Sequence, residues 1–324
     1  MGLLMRLLLL SIVALPGCTI VLSSTPCDTG TAPTTADSSD SADTGTTPAP
    51  AVQLTAGGHH TCALDTDGQV TCWGFDGGLD ITAVPDTLAD PIELSAGYLF
   101  TCALPAAGDT PLCWGDNSAG QATPPGPMQG QLASGGAHAC AVTDAGGATC
   151  WGRSTEGQTT PPPGVSGASS LALLASGWLF SCAQVGADEA PVCWGHDSDG
   201  QSTGTPGSAL TAMALGQGFG VGVLALDGTL ACWGRDTICD TLPTDPGTTW
   251  SHLVAGTDFA CALDDTHTAQ CWGTNENGVL DAIPTESLAS ITAGPGGRHV
   301  CGILDDDSGT ITCWGLDATG QSSP

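Results

Sequence analysis

Apolar and polar positions along this 324-residue chain fall into three regimes. The first is a short apolar run over residues 7–15, interrupted only by Ser11, preceded by Arg6 and followed by Pro16-Gly17-Cys18. It is too short to span a bilayer as a helix and has the charged, apolar and small-residue layout of a secretory leader. The second regime, residues 19–50, is built of Ser, Thr, Asp, Ala, Gly and Pro with almost nothing to bury, which predicts a disordered tether. From Ala51 onward, short apolar and β-branched runs alternate with Gly, Asp and Pro, and the pattern returns seven times. Each return closes on Cys-Trp-Gly, at Cys72, Cys113, Cys150, Cys193, Cys232, Cys271 and Cys313, about forty residues apart. Self-similarity at that period predicts an array of small sheets, none able to bury its own faces, stacked on their neighbours.

One repeat shows how a sheet is made. In Leu54-Thr-Ala-Gly-Gly-His-His-Thr-Cys62-Ala-Leu-Asp-Thr-Asp-Gly68-Gln-Val-Thr-Cys72-Trp-Gly, nine residues separate the two cysteines. That odd number fits a hairpin turning on Thr66-Asp67-Gly68, with glycine in the left-handed position. Cys62 then faces Cys72 on an adjacent antiparallel strand, within reach of a disulfide. The same reading pairs Cys102 with Cys113, Cys140 with Cys150, Cys182 with Cys193, Cys261 with Cys271 and Cys301 with Cys313. The fifth repeat departs: counting back from Cys232 places Gly222 where the first cysteine belongs, and Cys239 is the expected substitute partner, a free thiol at Cys232 being the alternative. Zinc binding is set against these pairs and lacks the clustered Cys/His spacing it requires.

Composition narrows function. The chain has no lysine and four arginines against thirty-three acidic residues, a formal charge of −29. Nucleic acid is excluded as a partner by that sign, and the missing lysine removes P-loop and Schiff-base chemistry. No Gly-x-Ser-x-Gly elbow and no His-Glu-x-x-His occurs, so no enzyme is expected, no cofactor and no metal. Asp65-Thr-Asp67-Gly68 and Asp197-Ser-Asp199-Gly200 open like calcium loops, but no glutamate follows at the twelfth position and Asp-Gly is ordinary turn chemistry.

The string Gly-x-x-His-x-Cys-Ala-Leu, Asp-Gly, Cys-Trp-Gly, Asn-x-x-Gly-Gln, seen at His60-Thr-Cys62-Ala-Leu64, Asp67-Gly68, Cys113-Trp-Gly115 and Asn117-Ser-Ala-Gly120-Gln121, resembles the regulator of chromosome condensation repeat. The resemblance covers residues 51–324 and implies an all-β, seven-bladed β-propeller with four strands per blade. Its nuclear exchange activity is not carried over, because no residues matching that surface are found. Secreted bacterial members bind a protein through one face of the ring, which implies protein binding here. Leu15-Pro-Gly-Cys18 similarly resembles a bacterial lipobox, implying lipid on Cys18. The expected organisation is therefore a leader over 1–17, a lipidated cysteine and tether over 18–50, and a propeller over 51–324. At ~5–6 Å × √n the tether would hold the ring about 30 Å from the membrane. The expected location is the cell envelope, periplasmic or surface side of an outer membrane, as a monomer attached through the lipid only.

Laying the repeats on one another separates scaffold from candidate function. The motif tryptophans, Trp73 to Trp314, are expected between blades. Two positions before the first cysteine, counting gives His60, Phe100, His138, Phe180, Gly220, Phe259 and His299, an aromatic plug rather than a ligand or base. The pair just upstream varies, and it defines the candidate partner-binding face: Tyr98, Leu99, Trp178, Leu179, Phe219, Asp258 and Arg298. After Trp-Gly, Arg153 and Arg235 are read as paired with nearby acids or as a small anion-accepting patch. A carbohydrate-binding propeller using Trp178 and Tyr98, and a purely structural envelope protein, are the alternatives. The strand near Val52-Gln53-Leu54 is expected to complete the last blade, and Cys27 to stay free or cross-link to another chain.

Overall fold

A computed structural model describes residues 49–106, 109–244 and 247–324; the leader, Cys18, Cys27 and the tether as far as residue 48 lie outside them. Seven three-stranded antiparallel sheets follow one another along the chain. The first holds β1 (Ala51–Ala56), β2 (His60–Asp65) and β3 (Val70–Gly74), and the second β4 (Pro91–Ala96), β5 (Phe100–Pro105) and β6 (Leu112–Gly115). The third holds β7 (Gly130–Ser134), β8 (His138–Val142) and β9 (Ala148–Gly152). The fourth holds β10 (Leu173–Ser176), β11 (Phe180–Gln184) and β12 (Val192–Gly195). The fifth holds β13 (Leu210–Leu215), β14 (Phe219–Leu224) and β15 (Leu230–Gly234), and the sixth β16 (Ser251–Ala255), β17 (Phe259–Leu263) and β18 (Ala269–Gly273). The last holds β19 (Leu288–Thr292), β20 (His299–Leu304) and β21 (Ile311–Gly315). The first strands of the seven sheets contact one another in the order β1, β4, β7, β10, β13, β16, β19 and back to β1. That closed order makes a ring of seven blades around a narrow axial channel lined by Thr55, Ser95, Ser134, Ser176, Leu215 and Val254.

Each blade has three strands, not the four the family resemblance implied. The stretch that would form an outer fourth strand is rich in proline, as in Thr123-Pro-Pro-Gly-Pro127 and Thr160-Pro-Pro-Pro-Gly164. Proline lacks the N–H a ladder needs, so these stretches run as extended links, with single short helices α1 (Pro163–Ser166) and α2 (Asp236–Cys239). β1 pairs with β2 in its own blade, so the early strand does not complete the last blade. Ring closure rests instead on contacts between the faces of the first and last blades.

The hairpin reading holds in atomic detail. Asp65 N–H donates to Gln69 O and Gly68 N–H to Asp65 O, Gly68 has φ 77°, and Cys62 is the register partner of Cys72. All six facing pairs are bridged, with Cα separations of 4.0–4.1 Å. Cys232 is bridged to Cys239, Cα atoms 5.3 Å apart, through α2. In the fifth blade, however, Val221 and not Gly222 is the register partner of Cys232. The count from sequence was one residue off because the fifth hairpin is one residue longer than those with ten-residue cysteine spacing.

That slip moves two assignments. Phe219, not Gly220, opposite Gly234 in the ladder, takes the plug position, so the plugs are His60, Phe100, His138, Phe180, Phe219, Phe259 and His299, all fully or almost fully buried. Phe219 is therefore core and is withdrawn from the candidate face. A glycine three residues before the plug marks the position without counting from the cysteine: Gly57, Gly97, Gly135, Gly177, Gly216 and Gly256 each donate N–H to the plug's carbonyl at 2.7–2.9 Å. A Cβ on any of them would strike the plug's own ring.

Candidate functional site: one face of the ring

The turns between first and second strands and the residues following each Trp-Gly emerge on the same side of the ring. One hydrogen bond repeats in all seven blades to place them together. The residue after Trp-Gly donates its N–H to the carbonyl of the residue before the plug: Phe75 to His59, Asp116 to Leu99, Arg153 to Ala137, His196 to Leu179, Arg235 to Gly218, Thr274 to Asp258 and Leu316 to Arg298. The Trp-Gly glycine makes this possible. Gly74, for example, has φ 112°, and a Cβ there would overlap His59 O.

On this face four aromatic rings form one connected row. Phe75 meets the edge of His59 with ring centroids 5.9 Å apart, His59 meets Tyr98 at 5.0 Å, and Tyr98 meets Trp178 at 4.6 Å, all in edge-to-face geometry that the ring quadrupoles favour. His59 Nε2 and the Tyr98 hydroxyl are hydrogen-bonded at 2.8 Å. Burial and the nearby Arg298 guanidinium both hold the His59 pKa below its ordinary value, burial having the larger effect. Tyr98 lies over Gly58 and Trp178 over Gly136, and both rings abut Gly296 of the seventh blade. The aromatics thus fold across the neighbouring loops towards the axis and remain partly exposed. Gly296 belongs to a two-residue insertion, Pro295-Gly296, found only in the seventh loop; Pro295 also borders the axial channel. Sequence reasoning missed this contact, although the extra length of that loop was its visible signal.

The remaining candidates surround the row. Leu99, Leu179 and Asp258 are partly buried, and Arg298 is exposed. Arg235 pairs with Asp258, donates to Gln217 O at 2.6 Å and stands 3.7 Å from Asp199, which settles it as a paired arginine. Arg153 is exposed and donates to Thr155 at 2.8 Å. A pocket of about 200 Å³ lies beside Trp178, walled by Leu179, His196, Asp199, Gln217 and Arg235. The acidic turns are occupied by their own backbone: Asp65 accepts from the N–H groups of Asp67 and Gln69, and Asp197 from those of Ser202 and Thr203. Among the described residues no group of three or more His, Cys, Asp or Glu side chains is arranged to hold a metal ion.

The model of the Regulator of chromosome condensation (RCC1) repeat matches residues 51–77 and 131–158, each spanning a plug, a disulfide hairpin and a Trp-Gly. Two of the seven repeats thus match this repeat, and the ring of seven sheets fits its propeller. Among solved structures, the entire ectodomain of the Physcomitrella patens receptor kinase CR4 is 29% identical over 81% of this chain and 72% of that one, with TM-score 0.67. The CRINKLY WD40 ectodomain of the Arabidopsis thaliana receptor kinase ACR4 is 26% identical over 84% and 97%, with TM-score 0.68. Yeast RCC1 (Prp20), solved with Kap60 bound, shares the fold at 16% identity, covering 80% of this chain and 81% of that one, with TM-score 0.61. For these repeats the plug, the disulfide hairpin and the packed tryptophan are scaffold. The loops that differ between blades are where this propeller is individual.

Proposed function

We infer that the propeller is a non-catalytic protein-binding module, held as a monomer at a bacterial cell envelope by lipid on Cys18, and that its partner engages the face carrying Tyr98 and Trp178. The observation that carries this reading is the connected row Phe75, His59, Tyr98 and Trp178, rimmed by Arg298, Asp258 and Arg235. Rigid aromatics ringed by polar groups are the composition of binding hot spots. Support also comes from yeast RCC1, a propeller of this fold solved with a bound protein. The envelope location rests on the leader and Cys18, and the absence of a catalytic role on the lack of any recognised nucleophile or metal motif in the sequence.

Affinity capture from envelope extract tests it, comparing the parent with Phe75→Ser/Arg298→Glu and with Tyr98→Ser/Trp178→Ser. A protein retained by the parent and lost by both variants, each checked for parental thermal unfolding, supports the reading. Equal retention refutes this face. The pocket beside Trp178, with its carboxylate, amide and guanidinium, favours a glycan as second reading; a glycan array with Asp199→Asn as control tests that.

A further inference from the structure

The pocket of about 200 Å³ beside Trp178 lies on the seam between the fourth and fifth blades. The turn Trp178-Leu179 and the loop carrying His196, Asp199 and Gln201 supply the fourth blade's side of it, and Gln217, Gly218 and Arg235 the fifth blade's. Gly218 keeps the space open. In the other six blades the residue before the plug carries a side chain, whereas a Cβ on Gly218 would come within 2.7 Å of Asp199 Oδ2 and 3.1 Å of Arg235 Nη2.

The charges lining this space are unevenly met. Arg235 is engaged: Nη1 pairs with Asp258, and Nη2 donates to Gln217 O at 2.6 Å. His196 is neutral. Gln201 Oε1 accepts the Asp199 N–H, so Gln201 Nε2 is the donor to His196 Nδ1 at 2.8 Å and that nitrogen is bare. Asp199 is the group left over. Among the described residues its carboxylate accepts no hydrogen bond, and the Arg235 guanidinium, already paired, stands 3.7 Å away. The adjacent Asp197 differs, its carboxylate being held by Ser202 and Thr203. The pocket thus presents one open carboxylate beside an indole, in a chain of formal charge −29.

We propose that this pocket receives a basic side chain of the bound partner, arginine in preference to lysine, with Asp199 as its counter-ion and Trp178 as one wall. The inference rests on the protein-binding reading of this face and adds the partner's chemistry to it. Both Asp199 carboxylate oxygens are open to the parallel N–H groups of a guanidinium, and an indole attracts a cation through its electron-rich ring. The volume lies below the ~300–1,000 Å³ of sites for free small molecules, which suits a single side chain. An acidic side chain would meet Asp199 with Arg235 already engaged. The acidity of the whole propeller also draws a basic partner towards it.

The test titrates the full chain, its tryptophan indoles isotope-labelled for magnetic resonance, with single amino-acid amides. The Trp178 indole signal is identified by its loss in Trp178→Phe. Acetyl-arginine amide is expected to shift that signal saturably, and its uncharged isostere acetyl-citrulline amide to leave it unmoved. Asp199→Asn, checked for parental thermal unfolding, should weaken arginine binding roughly fivefold or more, and added salt should weaken it in the parent. Equal shifts with citrulline, equal affinity in Asp199→Asn, a response to N-acetylglucosamine alone, or no saturable response overturns the proposal. The titration needs no partner protein, so its failure removes the pocket's role alone, whereas failure of envelope capture removes the face as a partner site and leaves the titration unaffected.

Discussion

His299 and Thr61 are hydrogen-bonded across the ring's closing seam, Nε2 to Oγ1 at 2.7 Å, although 238 residues separate them in sequence. Thr61 in turn donates its hydroxyl to Gln321 O, so His299 Nε2 carries the proton and Nδ1 is bare. Two other seams repeat the arrangement, His60 with Thr101 at 2.6 Å and His138 with Ser181 at 2.8 Å. Where the plug is phenylalanine, the facing residue has no hydroxyl: Phe100 faces Ala139, Phe180 faces Gly220, Phe219 faces Ala260 and Phe259 faces Val300. Plug and facing residue are thus matched seam by seam, since a buried imidazole needs a partner and a buried phenyl must have none.

Thr61→Val should therefore cost about 1–3 kcal/mol by leaving a buried His299 donor unsatisfied. Adding His299→Phe should recover most of that loss by converting the seam to the phenylalanine type. Thermal unfolding of the two single variants and the double decides; additive losses would refute the matched pair.

Acid should destabilise the ring through the three buried plugs. Burial lowers the pKa of His60 and His138 to about 3 and of His299 to about 4, because protonation at Nδ1 puts an unpartnered donor in the core. Folded pKa values below the unfolded value of about 6.5 mean that the unfolded chain binds more protons in this window. Stability is then fully present above pH 6.5 and falls as pH drops towards 4, by up to about 1.4 kcal/mol per pH unit for each histidine. Glu93, whose pKa burial raises, opposes the trend, because its folded carboxyl takes up a proton before the unfolded one does. Denaturant unfolding from pH 7 to 4.5 should show a shallower slope in His138→Phe/Ser181→Ala than in the parent. A parental slope in that variant would exclude His138 as a contributor.

The register of the fifth blade predicts where a seventh facing disulfide can be built. In a Cys239→Ala background, Val221→Cys should oxidise to Cys232, and Gly222→Cys should not, because its register partner is Ala231. Peptide mapping under non-reducing conditions reads the outcome; a bridge from position 222 would contradict the ladder.

Deleting one facing bridge, as in Cys140→Ala/Cys150→Ala, should cost about 2–3 kcal/mol for so short a loop. Thiol titration of the denatured, unreduced propeller should detect none of the fourteen cysteines between residues 62 and 313, all of which are bridged.

Gly296→Val should disturb the aromatic face more than the blades. Its Cβ would come within overlap distance of the Trp178 ring, and φ is +80°. Lowered Tm with altered near-ultraviolet circular dichroism, but unchanged far-ultraviolet signal, is the expected result.

The strands, the hairpin turns, the facing disulfides and the number of blades were determined by the sequence alone, because each depends on residues no more than a dozen apart and the seven copies check one another. The same locality explains the slip at Phe219. With its first cysteine gone, the fifth repeat could be counted from Cys232 only through a hairpin of unknown length, and only the ladder opposite Gly234 shows the register. Four strands per blade is what the family resemblance implied, and the proline-rich links overrule it; completion of the last blade by the strand near Val52-Gln53-Leu54 was expected, and the pairing of β1 with β2 overrules it. What the tertiary structure alone decided lies between blades: that His60 meets Thr101, that His299 meets Thr61, and that Tyr98 and Trp178 meet each other and Gly296. These contacts join residues 40 to 240 positions apart, and bending the array into a closed ring is what sets them side by side.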